Sequence, residues 1–301
     1  MKCFLCQSSN VAQKYIYGPG TFSQESKEYF QNVKILTCDD CQISFCENIR
    51  RENLDKYYEK TQKKIQEVSN RFKEFNSRFF TQVLYFINHA NLKKDINVLE
   101  VGPNNLGILP TLKIFQKKIK YYYFDQVELK HDHKEIFKLG NYFSPENKNL
   151  PMVDLIWMSH SLEHIFPDDL IKVLSSFYKA LNKNGKIFIE IPNDIKMKTF
   201  NVPHTLFFNK KSLAKLFGQL NFKIIAYSEI NSSEEYNMEN RSIKENKDSS
   251  SKIPLINKIY LFLQKFLPDY FVKKFAFKNF VLNGPYTNLP IIRLIVEKKD
   301  L

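Results

Sequence analysis

Short apolar runs in the middle of the chain alternate with segments in which apolar residues recur every three or four positions. Runs with strand character cover 96–101, 120–124, 153–158, 186–191, 222–230 and, much later, 290–297. A short additional strand is predicted near 137–143, and helical spacing is clear over 108–119 and 211–220. Because strands that alternate with helices form parallel sheets, the pattern predicts an α/β fold with helices on both faces of the sheet.

The chain on either side of this sheet has other patterns. Residues 51–95 have helical periodicity and are interpreted as a helical connector, while 231–252 is rich in Ser, Glu, Asn and Lys and is predicted to be a mobile loop. A helical insertion is predicted over 253–285. Its apolar face and its lysines leave two interpretations open: a lid packed on the sheet, or a segment at 253–280 that contacts a membrane surface peripherally and meets a lipid-linked substrate.

The stretch VLEVGPNNLG, Val98–Gly107, joins the first strand of the sheet to the helix that follows it. It contains a carboxylate, Glu100, and two glycines, Gly102 and Gly107. Turn glycines at this point allow the backbone to approach a nucleotide-like ligand. The order of strand, tight turn and helix therefore predicts a cofactor site, although the stretch has only two of the three glycines of a dinucleotide loop.

The charged residues of the chain indicate which kinds of molecule it binds. The formal net charge is +13, but only six of the basic residues are Arg and the Lys residues are spread along the chain. This spread favours a solvated basic surface over a nucleic-acid groove, and it is compatible with a phosphorylated substrate. The chain has no run of eighteen apolar residues, and its first residues lack an apolar signal core, so we predict a cytoplasmic protein.

All five cysteines lie within the first 46 residues, and four of them form two CxxC pairs. Cys3 and Cys6 make the first pair, and Cys38 and Cys41 make the second. Two such turns can supply four thiolates to one tetrahedral ion. We therefore predict a zinc-binding module over 1–50, a small zinc ribbon. Because all four positions are filled by protein ligands, the zinc is expected to be structural.

Polar residues follow the ends of the later strands. Asp125 ends the second strand, where a carboxylate is placed to bind the ribose hydroxyls of an adenosine. The fourth strand runs into the sequence SHSLEH, Ser159–His164. Its Glu163 and His164 have two interpretations: Glu163 caps the next helix or carries a surface charge, or both residues join His160 in a weak metal site. Capping and a substrate-side role are favoured.

These features together resemble the class I S-adenosylmethionine-dependent methyltransferases, which have a Rossmann-like sheet. The matching segments are VLEVG with Gly107, Asp125, DLIWMSHSLEHI, LNKNGKIFIEIPN and PHTLFFNKKSL. The resemblance covers about 70–230 and the last strand. It places a methyltransferase domain over 96–301. A CxxC…CxxC module ahead of such a domain is similar to the sugar C-methyltransferases of deoxysugar and polysaccharide pathways.

The resemblance implies S-adenosylmethionine as cofactor and assigns residues to its site. The assigned cofactor-binding residues are Glu100, Gly102, Asn104, Gly107, Asp125 and Ser159. Ser159 and His160 would lie beside the transferred methyl group. His204 stands just before an aromatic pair, where those sugar methyltransferases have a histidine, and would act as a general base. A purely structural histidine is an equally open interpretation of His204.

The resemblance also implies the acceptor class. We expect a small molecule, either a sugar or a nucleotide-linked or lipid-linked saccharide used in cell-surface polysaccharide or related biosynthesis. Asn201 and Pro203 stand where those enzymes carry Tyr and Glu before the histidine. Methylation at carbon, oxygen and nitrogen therefore all stay open. Two rival functions are a catalytically inactive binding protein with the same fold and an RNA methyltransferase.

Overall fold

The computed structural model describes most of the first 230 residues and the last strand. The described residues are 1–17, 29–30, 32–69, 77–91, 95–103, 108–115, 118–125, 134–141, 143, 149–197, 200, 202–230 and 290–299. The predicted mobile loop 231–252 and helical insertion 253–285 lie outside them. So do Asn104 and Gly107 of the predicted cofactor loop.

The elements follow the predicted alternation of strands and helices. The strands are β1 Val11–Ile16, β2 Lys34–Cys38, β3 Ser44–Cys46, β4 Asp95–Val101, β5 Lys118–Phe124, β6 Ile136–Gly140, β7 Val153–Ser159, β8 Leu181–Pro192, β9 Leu206–Phe207, β10 Phe222–Ile230 and β11 Ile291–Lys298. The helices are α1 Arg51–Ser69, α2 Ser77–His89, α3 Leu109–Phe115, α4 Pro167–Ala180, α5 Asp194–Met197 and α6 Lys210–Gln219. The helix predicted over 108–119 is shorter than expected, since Lys118 and Ile119 already belong to β5.

Seven strands form the main sheet in the order β10-β11-β8-β7-β4-β5-β6. Strands β4, β5, β6, β7 and β8 pair in parallel, whereas β11 is antiparallel to both of its neighbours. The first strand of the series, β4, lies near the centre, with β5 on one side and β7 on the other. The carboxyl ends of β4, β5, β7 and β8 therefore meet at one edge, where ligands bind in open α/β sheets.

Alternate residues of the central strands enter two separate cores. Leu155 and Trp157 of β7 pack against α2 and α3 on one face of the sheet. Ile156 and Met158 pack against α4 and α6 on the other face. Strands buried on both faces read as continuous apolar runs, which explains the sequence VDLIWM. The predicted fold, a Rossmann-like sheet with helices on both faces, is confirmed.

The N-terminal region forms a second, four-stranded sheet in the order β1-β2-β3-β9, and every pairing in it is antiparallel. Strand β9 comes from far downstream: Phe45 pairs with Leu206, and Ser44 pairs with Phe207. The N–H of Cys46 also donates to the carbonyl of Thr205 at 2.9 Å. The sheet is thus completed by the segment that carries His204. The domain boundary at residue 50 stays a prediction.

Among the residues that the structure describes, no helix combines the length and the apolar character needed to cross a bilayer.

Candidate active site at the carboxyl edge of the sheet

Glu100 ends the central strand and is completely buried. Its Oε2 accepts hydrogen bonds from the backbone N–H of Ile108 at 3.1 Å and from the hydroxyl of Tyr121 at 2.5 Å. These bonds tie the strand to the start of α3 and to β5. Burial raises the pKa of Glu100 to about 8, the two hydrogen bonds oppose that rise, and the nearby charge of Asp125 adds to it. The carboxyl group is therefore largely protonated at neutral pH.

The raised pKa of Glu100 gives a stability prediction with a definite sign. Because the folded-state pKa lies above the ordinary value of 4.5, the folded protein binds the extra proton between pH 4.5 and about 8, and stability falls as pH rises through that window. The cost is about 5 kcal/mol when complete. Glu100→Gln should flatten this part of the pH dependence in urea unfolding measured without cofactor. Equal slopes for the two proteins between pH 5 and 8 would contradict the assignment.

Gly102 makes the turn directly after β4. Its φ of +71° lies in the left-handed region, which glycine adopts without strain. A Cβ at this position would lie 3.7 Å from the Cβ of Ser161, so the turn also runs close to the strand-end segment of β7. Its N–H donates to the carbonyl of Phe124 at 2.8 Å. This bond holds the turn beside the end of β5, next to Asp125.

A buried polar network orients Ser159 at the end of β7. The Gln82 amide of α2 donates to Ser159 Oγ at 2.8 Å and to Glu190 Oε1 at 2.6 Å. The other oxygen of Glu190 accepts from Arg293 Nε at 2.6 Å, and Arg293 also donates to the hydroxyl of Thr81 at 3.0 Å. Glu190 and Arg293 are both buried, so each charge depends on the other. The network fixes the floor of the site.

His160 adopts a backbone conformation that is uncommon for a residue with a side chain. Its φ is +54°, and its N–H donates to the carbonyl of Glu190 at 2.8 Å. The ring lies between two carboxylates: Nδ1 is 3.6 Å from Glu163 Oε1, and Nε2 is 3.4 Å from Glu190 Oε1. The ring is partly exposed. Strained backbone of this kind concentrates at functional sites, which fits the predicted position beside the transferred group.

His204 is buried and is paired with a carboxylate that the sequence interpretation missed. Its Nδ1 donates to Asp194 Oδ2 at 2.8 Å. Burial disfavours the charged imidazole, but the hydrogen bond and charge of Asp194, with the charge of Glu163, outweigh it and raise the pKa of His204. Asp194 is the residue directly after the segment EIPN at the end of β8, and no sequence spacing rule connects it to His204. Only the fold shows the pair.

Glu163 lies in the Leu162–His164 turn, and its position there contradicts the interpretation as a helix cap or a surface charge. The residue is buried rather than exposed, and helix α4 has no side-chain cap. Neither carboxylate oxygen has a hydrogen-bond partner, and burial raises the pKa of Glu163 against the opposing charges of His160 and His204. Glu163 therefore neither caps the helix nor carries a surface charge.

His164 lies beside Glu163 in the same turn. Its Nδ1 hydrogen-bonds the hydroxyl of Tyr58 at 2.9 Å. Burial, with the charges of His204 and His160, lowers the pKa of His164, while a hydrogen bond to the Pro203 carbonyl opposes that change. The rings of His164 and His204 are 5.0 Å apart between centroids. The structure thus brings together three histidines and a carboxylate at the end of β7.

The four cysteines of the two CxxC pairs converge at one point. The sulfurs of Cys3 and Cys41 are 3.6 Å apart, those of Cys6 and Cys38 are 3.5 Å apart, and all four lie within 4.8 Å of one another. Tetrahedral zinc with Zn–S bonds of about 2.3 Å needs sulfurs about 3.8 Å apart, so the cluster fits this ion. Burial raises the pKa of Cys3 and Cys41, so a cation is needed to keep all four as thiolates.

Both CxxC turns have the same backbone form. Gln7 and Gln42, each one residue after the second cysteine of its pair, have φ values of 62° and 61°. Their N–H groups donate to the carbonyls of Cys3 at 2.9 Å and Cys38 at 2.7 Å. The two matched turns point their sulfurs at one centre, as the spacing predicts. The fifth cysteine, Cys46, is buried away from the cluster and donates to the hydroxyl of Tyr17 at 3.1 Å.

Comparison with known proteins identifies the family of the domain that carries these strand-end residues. A family model described as a methyltransferase domain matches residues 68–227, more than half of the chain. No match was found among curated protein sequences. The chain is similar to the solved 1,6-didemethyltoxoflavin-N1-methyltransferase of Burkholderia thailandensis, which contains 1,6-didemethyltoxoflavin and S-adenosylhomocysteine. The identity is 13%, the TM-score is 0.51, and the match covers 87% of this chain and 98% of that one.

A second similar structure is an S-adenosylmethionine-dependent methyltransferase of Archaeoglobus fulgidus, with 18% identity, a TM-score of 0.46, and coverage of 80% of this chain and 100% of that one. The likeness to the Burkholderia structure supports the fold of the main sheet, and the family model covers the glycine turn, the end of β5 and the end of β7. The chain therefore belongs to the methyltransferase domain family.

Proposed function

We propose that this enzyme methylates a saccharide, free or linked to a nucleotide or lipid, and that His204 accepts the proton released by the acceptor. The observation that carries the proposal is the Asp194–His204 pair at the carboxyl edge of the sheet. A carboxylate on Nδ1 fixes the ring and its tautomer, so that Nε2 is the atom available to an acceptor.

The cofactor would lie across the strand ends. Glu100 and Gly102 would contact its methionine end, Asp125 would bind the ribose, and Ser159 would lie on the side of the transferred methyl group. The charge of Asp125 is close enough to Glu100 to raise its pKa, which supports a single site shared by both residues. The Gln82 hydrogen bond holds Ser159 in position. Asn104 and Gly107 lie outside the described residues and stay part of this proposal from the sequence alone.

The chemistry required of the protein is modest. The sulfonium of S-adenosylmethionine supplies an already activated methyl group, so the protein contributes mainly by aligning the acceptor atom, the methyl carbon and the sulfur. The acceptor gains a bond to carbon as the carbon–sulfur bond breaks, and its proton leaves to the imidazole of His204. The strained turn at His160 places a second imidazole at the same edge. We propose that His160 contacts the acceptor beside the methyl group.

Two features support a saccharide acceptor. The cysteine module is joined to the segment of His204 through β9, which fits the resemblance to sugar methyltransferases with such a module. The net charge of +13 suits a phosphorylated or nucleotide-linked substrate. We also propose that the cysteine cluster holds a structural zinc ion, because its four thiolates leave no coordination position open for chemistry.

Asp125→Asn tests the cofactor site. Loss of a hydrogen bond from a charged group costs about 1.5–3 kcal/mol, so we expect S-adenosylhomocysteine to bind about 10- to 100-fold more weakly. Thermal-shift titration measures this loss. Asp95→Asn is the matched control: Asp95 is exposed at the opposite edge of the same sheet, near Lys118. The cofactor assignment would fail if millimolar S-adenosylhomocysteine gave the wild-type protein no stabilisation, or if both variants bound it equally.

The acceptor class is tested by release of S-adenosylhomocysteine. The enzyme is incubated with S-adenosylmethionine and, in separate reactions, nucleotide-linked deoxysugars, lipid-linked saccharides or RNA at low salt. We expect turnover with a saccharide and none with RNA. Turnover with RNA alone would overturn the saccharide proposal and leave the methyltransferase assignment intact.

A further inference from the structure

We propose that Glu163, His164 and His204 bind a divalent transition-metal ion. The three residues come from two elements, the Leu162–His164 turn and the segment before β9. One ligand atom from each lies within 4.8 Å of the other two, close enough for a single ion to reach all three. Glu163 is 1% exposed and His204 is also buried, whereas the His164 ring is partly exposed, so the cluster reaches solvent through His164.

The first observation in favour of an ion is the environment of the Glu163 carboxylate. Both of its oxygens are buried and neither has a hydrogen-bond partner. A buried carboxylate without a partner costs several kcal/mol, and proteins retain such groups where a cation or another charge compensates them. His160 Nδ1, at 3.6 Å from Oε1, is beyond hydrogen-bond distance. An ion between the carboxylate and the two imidazoles would satisfy the lone pairs of Glu163.

The second observation is the set of groups behind the two histidines. Asp194 accepts from Nδ1 of His204, and the Tyr58 hydroxyl hydrogen-bonds Nδ1 of His164. Outer partners of this kind fix the ring orientation of metal-ligating histidines and leave Nε2 directed at the ion. Nε2 of His164 is already 4.0 Å from Glu163 Oε1. Nε2 is thus the nitrogen that each ring leaves for an ion, and His164 would exchange its hydrogen bond to the Pro203 carbonyl for that ion.

The backbone holds the two elements in register. The N–H of Thr205, next to His204, donates to the carbonyl of Glu163 at 2.8 Å, and the Thr205 hydroxyl donates to the carbonyl of Ile165 at 2.6 Å. The ligand residues thus keep their spacing without an ion. A preformed set of two imidazoles and one carboxylate suits zinc, iron(II) or cobalt(II), and it leaves coordination positions open for water or an acceptor oxygen.

The role of the ion, unlike its binding, rests on the proposed function. A bound ion would polarise an acceptor hydroxyl and lower its pKa. Because ligation and general-base action would both use Nε2 of His204, an ion-bound hydroxide would have to accept the acceptor's proton in the ion-loaded enzyme, and it would become water. The site would therefore favour an acceptor that carries a hydroxyl or carbonyl oxygen able to coordinate a divalent cation.

Cobalt(II) titration of the full-length protein, first loaded with one equivalent of zinc to fill the cysteine cluster, tests the site directly. Because zinc fills the cysteine cluster, cobalt can bind only where the ligands are nitrogen and oxygen atoms. Bound cobalt is therefore expected to give visible d–d absorption without a thiolate charge-transfer band. We expect one equivalent to bind. Glu163→Gln should weaken binding by about 100-fold or more, and Asp194→Asn by about 10- to 100-fold, the range for outer partners of ligands. Glu297→Gln, a carboxylate paired with Lys186, is the matched control and should bind as the wild type does.

The outcomes separate this site from the proposed function. Failure of the zinc-loaded wild type to bind cobalt, or equal binding by wild type and Glu163→Gln, overturns the metal site even if methyl transfer is active. Cobalt binding with no saccharide turnover keeps the site and removes the acceptor proposal. If Glu163→Gln does not fold, judged by circular dichroism and zinc content, His164→Gln replaces it, because that ring is partly exposed.

Discussion

His204→Gln should lower kcat by about 10²- to 10⁴-fold while the affinity for S-adenosylhomocysteine stays unchanged. Glutamine keeps a polar group of similar reach but cannot accept a proton near neutral pH. The proposed cofactor contacts lie at the ends of β4, β5 and β7, and none of them uses His204. Steady-state kinetics together with thermal-shift titration measure both quantities. A variant that loses cofactor affinity and kcat in parallel would indicate a structural histidine, the other interpretation that the sequence leaves open.

The pH profile distinguishes a proton acceptor from a group that only positions the substrate. His204 must be neutral to act, and Asp194 raises its pKa, so the acidic limb of kcat/KM should have its midpoint above 6.5. Asp194→Asn removes the carboxylate and should move that midpoint to lower pH, with a lower plateau because the ring is less firmly held. Asp95→Asn, at the opposite edge of the sheet, should leave the profile unchanged. An unmoved midpoint in Asp194→Asn would contradict the proposed pairing.

The parts of this molecule that follow local rules could be predicted from sequence. The apolar runs gave the strands of the main sheet, since a strand buried on both faces has to be apolar throughout. The two CxxC pairs predicted a four-sulfur cluster, because the spacing alone directs both thiols of a turn to one point. Glu100 and Gly102 stand where their sequence context placed them, at the end of β4 and in the turn that follows.

The parts that depend on long-range contacts could not be predicted. Strand β9 has only two residues, too few for an alternating pattern, and its partner lies about 160 positions earlier in the chain. Glu163 was misread for a related reason. Its charge and its place before a helix are typical of an exposed cap, and only the packing of the His204 segment over the turn buries it. Asp194 has no sequence signal that connects it to His204.

Cys38→Ser should abolish stoichiometric zinc binding and lower both stability and kcat, although Cys38 belongs to the cysteine cluster and not to the proposed site of methyl transfer. Structural zinc supplies about 10–16 kcal/mol of apparent binding free energy in small modules, so we expect a loss of stability on the order of 5 kcal/mol or more. The link to catalysis is β9. The hydroxyl of Tyr17 donates to the carbonyl of His204, and β3 pairs with the two residues that follow Thr205. Because misplacement of a catalytic group by about 1 Å costs about 10²-fold in rate, kcat should fall by a comparable factor.

Cys46→Ser is the matched control, since it removes a thiol from the same sheet but not from the cluster. The serine hydroxyl can replace the Cys46 thiol as donor to Tyr17, so zinc content, stability and kcat should stay near wild type. Metal analysis, urea unfolding and the pH midpoint of kcat/KM are measured on all three proteins. The pH midpoint matters because a displaced His204 would also lose the hydrogen bond that it donates to Asp194, and its pKa would then fall. A Cys38→Ser protein that lacks zinc but keeps the wild-type kcat and midpoint would show that the module does not position His204, and that β9 is held by the methyltransferase core alone.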